Sequence, residues 1–169
     1  MRLLVTAASR HSATQQIADA IADQLQTDGL DATARAPDDV TDVTPYDAVI
    51  IGSAVYGGHW LDAARRFVDR HAADLGEVPV WLFSSGPIGD PLKPDEDPVD
   101  VADVTASTGA VEHRLFAGRL QKAGLGFAER AIVLALRAPE GDFRDWDAIS
   151  AWTAEIAATL RGGGAGAKR

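Results

Sequence analysis

The sequence predicts an α/β domain, doubly wound, with a five-stranded parallel sheet and helices on both faces. Three observations carry that prediction. Short apolar runs alternate with amphipathic helical patterns along the chain. The central runs, around Val49-Ile50-Ile51 and Val80-Trp81-Leu82-Phe83, read as strands buried on both faces. No internal repeat or interdomain linker interrupts the 169 residues, a length that suits one domain with a real core.

Residues 3–6 form the first expected strand. Ile17, Ala18, Ile21, Ala22 and Leu25 then recur at helical spacing, from near Gln15 to near Gly29, with Ser12-x-x-Gln15 as a capping box. Residues 32–35 are a short second strand and residues 36–45 a loop. Residues 48–52 make the third strand. A second helix covers residues 61–75, with Ala64, Phe67, Val68 and His71 on one stripe. Residues 78–84 are the fourth strand, entered through Pro79, and residues 85–107 a long loop with a helical turn around Val99–Val104. Residues 113–116 resume strand character. Residues 122–136 give an apolar helical pattern, and residues 143–160 a last amphipathic helix capped by Asp142. The domain is thus expected over residues 1–161, with residues 162–169 as a disordered tail.

Composition excludes several classes. No apolar run approaches the roughly 20 residues that span a bilayer. Met1-Arg2-Leu3 runs straight into a strand pattern without a cleavable leader, so a cytoplasmic location is expected. With no cysteine, disulfides, thiolate nucleophiles and cysteine-held clusters are ruled out. A formal net charge of −9 argues against nucleic-acid partners, which need clustered Lys and Arg. No nucleophile elbow, Ser/His/Asp pattern or metal-ligand spacing is present in the sequence.

Three loops follow strand ends, where open α/β sheets bind ligands. The first is Ser9-Arg10-His11-Ser12-Ala13-Thr14. Unpaired N–H groups and the helix dipole make it an anion site, with the Ser9, Ser12 and Thr14 hydroxyls completing a phosphate cradle. The plainer reading is a well-capped helix. The second, Ala54-Val55-Tyr56-Gly57-Gly58-His59-Trp60, sets two glycines beside two aromatics. Close backbone approach and flat rings suit a planar ligand, although such aromatics are more often packed loop residues. The third, Ser84-Ser85-Gly86-Pro87-Ile88-Gly89-Asp90, offers main-chain donors and acceptors to the edge of a heterocycle. His11 and His59 are candidates for proton donation, and Asp90 for ring-edge contact; each also has an ordinary loop role. Together, at successive strand ends, these loops point to a mononucleotide such as FMN. Residues 121–137 are apolar over more than one helical face. Burial on the domain or in a homodimer outweighs a peripheral membrane or partner contact there.

The loop from Ser9 to Thr14, the strand from Tyr46 to Ser53 with Ala54-Val55-Tyr56-Gly57, and the strand–helix order resemble flavodoxins. The segments Tyr46 to His59, Phe67-Val68-Asp69-Arg70-His71, Phe116-Ala117-Gly118-Arg119-Leu120, Glu129-Arg130 and Asp145-Trp146-Asp147-Ala148-Ile149 are more closely similar to the flavodoxin-domain proteins grouped with menaquinone-dependent protoporphyrinogen oxidases. This resemblance extends to about Leu160. It implies noncovalent FMN, its phosphate held by Ser9, Arg10, His11, Ser12, Ala13 and Thr14. Ala54 to Gly58 and Ser84 to Asp90 would border the isoalloxazine. It also implies a quinone or small-molecule redox substrate, contact of residues 121–137 with substrate or membrane, and Arg130 and Arg137 as partners for porphyrin propionates. Ser12 and Ala13 stand where such loops often carry Gly and a hydroxyl residue, and residues 84–90 lack an aromatic. Three functions remain open at this point: an FMN-dependent oxidoreductase, a flavodoxin-type electron carrier, and a flavin-free binding domain of the same fold.

Overall fold

The structure is a computed structural model, and it describes residues 1–88 and 96–163. Strand β1 (Arg2–Ala8) leads to helix α1 (Ala13–Thr27), which buries Thr14, Ile17, Ala18, Ile21, Ala22 and Leu25. The helix ends where Gly29 takes a left-handed φ of 83°. Its N–H donates to the Gln26 carbonyl and that of Leu30 to the Leu25 carbonyl, closing the last turn. Strand β2 (Asp31–Arg35) follows, then β3 (Ala48–Tyr56), hairpin strand β4 (His59–Trp60), helix α2 (Asp62–Leu75) and β5 (Val80–Ser85). Strand β5 begins after Pro79, which lacks the N–H a ladder needs but still accepts from Val49 N–H at 3.0 Å. Helix α3 (Val101–Thr108), β6 (Glu112–Phe116), β7 (Arg119–Leu120), α4 (Phe127–Ala135), β8 (Gly141–Asp142) and α5 (Trp146–Gly163) complete the described chain.

The main sheet has the parallel order β2-β1-β3-β5-β6, with β4 folded back antiparallel on β3 and a separate two-stranded β7-β8 ribbon. Five parallel strands with helices on both faces are what the alternating pattern predicts. One core layer joins Leu3, Val5, Ile50 and Phe83 to α1 and to Trp152 and Ile156 of α5. The other joins Leu4, Val49, Ile51 and Leu82 to Phe67 and Leu75 of α2 and Val104 of α3. A Cβ on Gly52 would collide with the Phe83 ring, itself wedged against Phe116 and Trp152 with centroids 6.1 and 6.2 Å away.

Several elements differ from expectation. The segment read as a loop from Ala54 continues β3 to Tyr56 and turns at Gly57 and Gly58, both at positive φ. The turn expected around Val99–Val104 is a two-turn helix, α3, which runs on to Thr108 and is stopped by Gly109 at φ 62°. Asp142 does not cap α5. Asp145 does, accepting from Ala148 N–H at 2.9 Å, while Asp142 is taken by Arg144. Helix α5 continues two residues into the expected tail; residues 164–169 lie outside the described residues, as do the site candidates Gly89 and Asp90.

Candidate functional site

Strand order reverses between β1 and β3: the chain leaves β1 for α1 on one face and β3 for α2 on the other. The diverging connections open a crevice at the carboxyl ends. A cleft of about 180 Å³ occupies it. Ser9, Arg10, His11, Ala13 and Thr14 line one side, Ala54, Val55 and Tyr56 another, and Ser85, Gly86 and Ile88 a third. Gly57, Gly58 and Pro87 border an adjoining apolar cleft of about 260 Å³, which shares Val55 and Gly86 with the first. Residues from all three predicted loops therefore converge. Two depart: Ser12 faces a neighbouring groove, and Ser84 is fully buried beneath the site.

The loop after β1 is not closed by the expected capping box. Ser12 sits in the left-handed region (φ 62°, ψ −12°), and its side chain makes no cap. That conformation turns its hydroxyl towards Arg119, whose guanidinium reaches Ser12 Oγ and the His11 carbonyl at 3.4 Å each. Among the described residues, none of the N–H groups of residues 10–15 draws a hydrogen bond; the first helical bond is from Gln16 N–H to the Ser12 carbonyl. Six consecutive donors at a positive helix end form a site for a dianion. The loop is braced from below. Arg144, almost wholly buried, donates to the Ala13 carbonyl (3.2 Å) and Gln16 Oε1 (2.7 Å) while paired to Asp142 at 2.6 Å. The Arg144 hydrogen bonds hold the Asp142 carboxyl below its usual pKa, so the pair stays ionised. The Trp146 ring lies 4.6 Å under the same guanidinium.

Helix α4 meets this loop through one side chain. Glu129 Oε1 accepts from Arg10 at 3.0 Å, both carboxylate oxygens lie 3.2 Å from His11 Nε2, and Oε2 accepts from Gly126 N–H at 3.0 Å. The Gly126 N–H first, then Arg10 and His11, hold its pKa down to about 2. Arg10 also stacks 4.6 Å over the Tyr56 ring. Burial first, then the Glu129 charge, pushes the Tyr56 phenol upward, so it remains a donor. No residue of α4 is buried, and Phe127, Leu134 and Leu136 are 93%, 73% and 74% exposed. The expectation of a helix buried on its own domain does not hold: α4 is held by its carboxylate and leaves its apolar side chains in solvent.

Beneath the third loop, Trp60 Nε1 donates to Ser84 Oγ at 2.7 Å, and Ser84 Oγ lies 2.8 Å from His113 Nε2. An indole N–H can only donate, so Ser84 accepts from it. With His113 Nδ1 facing the Asp97 carboxylate at 3.3 Å, a neutral ring keeps its proton there and Nε2 accepts the Ser84 hydrogen. Burial lowers the His113 pKa against the pull of Asp97 and Glu112, consistent with a neutral ring. The sequence shows no Ser/His/Asp pattern, yet the fold assembles one; with Ser84 fully buried, it is a scaffold, not a nucleophile. Trp60 is likewise a core side chain, and His59 turns away to Asp100 at 3.1 Å. The loop is stacked tightly above: a Cβ on Gly86 would lie 3.0 Å from the Val55 Cβ, and one on Gly118 3.3 Å from the Gly86 Cα.

Gly118, Arg119, Leu120, Glu129 and Arg144 complete the site, and no loop-by-loop reading singles them out. Four of the five, Gly118, Arg119, Leu120 and Glu129, fall in the segments that carry the family resemblance, the signal that marks them; Arg144 has none.

The flavodoxin domain family model matches residues 4–147. Protoporphyrinogen IX dehydrogenase [quinone] of Escherichia coli K12 is 29% identical over 86 residues, which are 50% of this chain and 48% of that protein. The chain thus spans about half the length of the curated relatives it matches. The flavodoxin of Streptococcus pneumoniae TIGR4 superposes with a TM-score of 0.65 at 22% identity, covering 96% of this chain and 99% of that one. Rubredoxin oxygen:oxidoreductase from Desulfovibrio gigas gives 0.63 at 13% identity, covering 95% of this chain and 36% of that one. These structures share the fold. The chain belongs to the flavodoxin domain family.

Proposed function

We propose that this flavodoxin-domain chain binds FMN noncovalently at the crevice and acts as an oxidoreductase towards a small redox substrate, with a quinone as acceptor. The observation that carries the flavin reading is the run of six unbonded N–H groups over residues 10–15, set where the strand order reverses. A phosphate monoester fits those donors, with Ser9 and Thr14 at its side. Val55, Gly57, Gly58, Gly86 and Pro87 frame an apolar slot suited to the ring. Bound flavin would supply hydride and electron transfer, while the chain orients the ring and excludes water. Arg10 and His11 are already shared with Glu129, so the backbone donors carry most of the phosphate binding.

The quinone and protoporphyrinogen reading is supported by the similarity to the Escherichia coli protoporphyrinogen IX dehydrogenase, which uses a quinone. The exposed apolar side chains of α4 support contact with a partner, a second copy or a membrane surface. No helix among the described residues is long and apolar enough to cross a membrane. A second reading, an electron carrier that docks on basic partners, is favoured by the net charge of −9. An absorption spectrum of purified protein, followed by titration with FMN, tests the flavin reading. Flavin bands are expected, and protein that stays colourless with excess FMN would end it. Turnover of protoporphyrinogen with a quinone then separates enzyme from carrier.

A further inference from the structure

Three separate pieces of chain wall the apolar slot beside the crevice, and one imidazole reaches all three. Gly57 and Gly58 come from the β3-β4 hairpin, Gly86 and Pro87 from the third loop, and Glu96 and Pro98 from the segment before α3. His113, on β6, is not part of the lining, and its side chain is only 9% exposed. Its Nε2 lies 2.8 Å from Ser84 Oγ, just before Gly86 in the chain. Ser84 Oγ in turn holds Trp60 Nε1 at 2.7 Å, just after Gly58. The His113 Nδ1 lies 3.3 Å from Asp97, between the two lining residues of the third wall. Hairpin and segment also meet directly: Val99 N–H donates to the Gly58 carbonyl at 2.9 Å, and Asp100 accepts from Trp60 N–H at 2.8 Å. We infer that neutral His113 is a positioning residue that fixes the three walls at the spacing of a planar ring, and that a protonated His113 releases them. The identity of that ring rests on the flavin reading; the tie between the walls does not.

This chain of hydrogen bonds carries no proton to the site, because it ends at an indole N–H, which accepts nothing. Its effect is geometric. With His113 neutral, Trp60 donates to Ser84, Ser84 to Nε2, and Nδ1–H faces Asp97. A proton on Nε2 makes that nitrogen a donor. The Ser84 hydroxyl, fully buried, then loses its acceptor and has to move. A buried polar network specifies one geometry when every member is satisfied and loses it when one is not. The charged groups acting on the imidazole are Asp97, from the segment before α3, and Glu112, its neighbour on β6. Both favour the proton, and burial outweighs them. Ser84 of β5 and Trp60 of β4 bring no charge, and Asp100 of the α3 start is taken by His59, the Trp60 N–H and Arg65. Ring affinity is therefore level above pH 6.5 and falls as His113 takes up its proton below it.

Riboflavin is the probe, since it has the ring without a phosphate, whose second ionisation at about pH 6 would overlap that of His113. Its dissociation constant is measured by flavin fluorescence from about pH 8 to about pH 5 for the wild type, His113→Gln and His59→Gln. The wild type is expected to lose about tenfold in affinity over that range. His113→Gln, whose amide oxygen accepts from Ser84 at any pH, is expected to bind within about threefold of the wild type at the alkaline end and to show no step. His59→Gln, which removes the histidine of the hairpin, is expected to keep the step. By linkage, saturating riboflavin lowers the His113 titration midpoint, read from its ring ¹³C shift, by about one pH unit. Without any ligand, the amides of Gly58, Gly86 and Val99 are expected to titrate with that same midpoint. A flat wild-type profile, a step that survives in His113→Gln, or amides that ignore His113 overturns the proposal. If no flavin binds and the three amides still follow His113, the flavin reading falls and the tie between the walls stands. Riboflavin binding with a flat profile strikes the tie alone.

Discussion

The β1-β3-β5 sheet and the arm of β7, α4 and β8 lie on either side of one crevice and are held together by different physics. In the sheet, apolar side chains are excluded from water on both faces, and Gly52 leaves no room for one more carbon beneath Phe83. In the arm, α4 buries nothing and is tethered by the Glu129 carboxylate, while Arg144 ties the ribbon to the helix start. A rigid sheet can present unpaired backbone donors at a fixed place. A helix held by ion pairs can reposition apolar side chains beside them at small cost. Under the proposed function, that difference leaves cofactor binding to the sheet and choice of substrate to the arm.

The largest expected effect sets the two regions against each other. Gly52→Ala forces a Cβ into the Phe83 ring and should cost about 3 kcal/mol, whereas Leu134→Ala on α4 should stay within about 0.5 kcal/mol. Urea unfolding of both variants checks this, and equal losses would erase the contrast. Next comes Ser9→Asp, which places a negative charge beside the phosphate donors. FMN affinity should fall about a hundredfold without loss of fold, read by flavin fluorescence.

A third test loosens only the arm. The Glu129 pKa is depressed to about 2 from 4.5, so its contribution is fully present above pH 4.5 and is lost as pH falls towards 2. Protection factors of the α4 amides, corrected for the intrinsic pH dependence of exchange, should fall over that window while those of β1 and β3 hold. Glu129→Gln should show the faster exchange already at pH 7. The smallest effect belongs to His113. Its pKa is lowered from 6.5 in the folded state, so the unfolded chain takes up the proton first as pH drops below 6.5. Stability should decline slightly from there and level off below the folded value. In His113→Asn the urea midpoint should lack that step.

The sheet was legible because contiguous apolar runs such as Val49-Ile50-Ile51 admit little but a strand covered on both faces. The loop after β1 was legible for the same local reason, a buried strand feeding a helix start. The β3-β4 hairpin was obscured because its second strand is two residues long, too short to show alternation. The capping box failed because Arg119, distant in sequence, competes for the Ser12 hydroxyl. Helix α4 could not be placed from its pattern, since the same apolar stripe suits a domain core, a second copy or a membrane. The brace formed by Arg144 spans 131 residues to Ala13, a separation no local pattern encodes.

The central claim is that the N–H groups of residues 10–15 bind the phosphate of FMN. Amide ¹H–¹⁵N spectra of the apoprotein, titrated in parallel with FMN and with riboflavin, test it most directly. The account predicts large downfield shifts of those six amides with FMN and small ones with riboflavin, which has the same ring and no phosphate. Equal shifts with both ligands, or none with FMN, would contradict it.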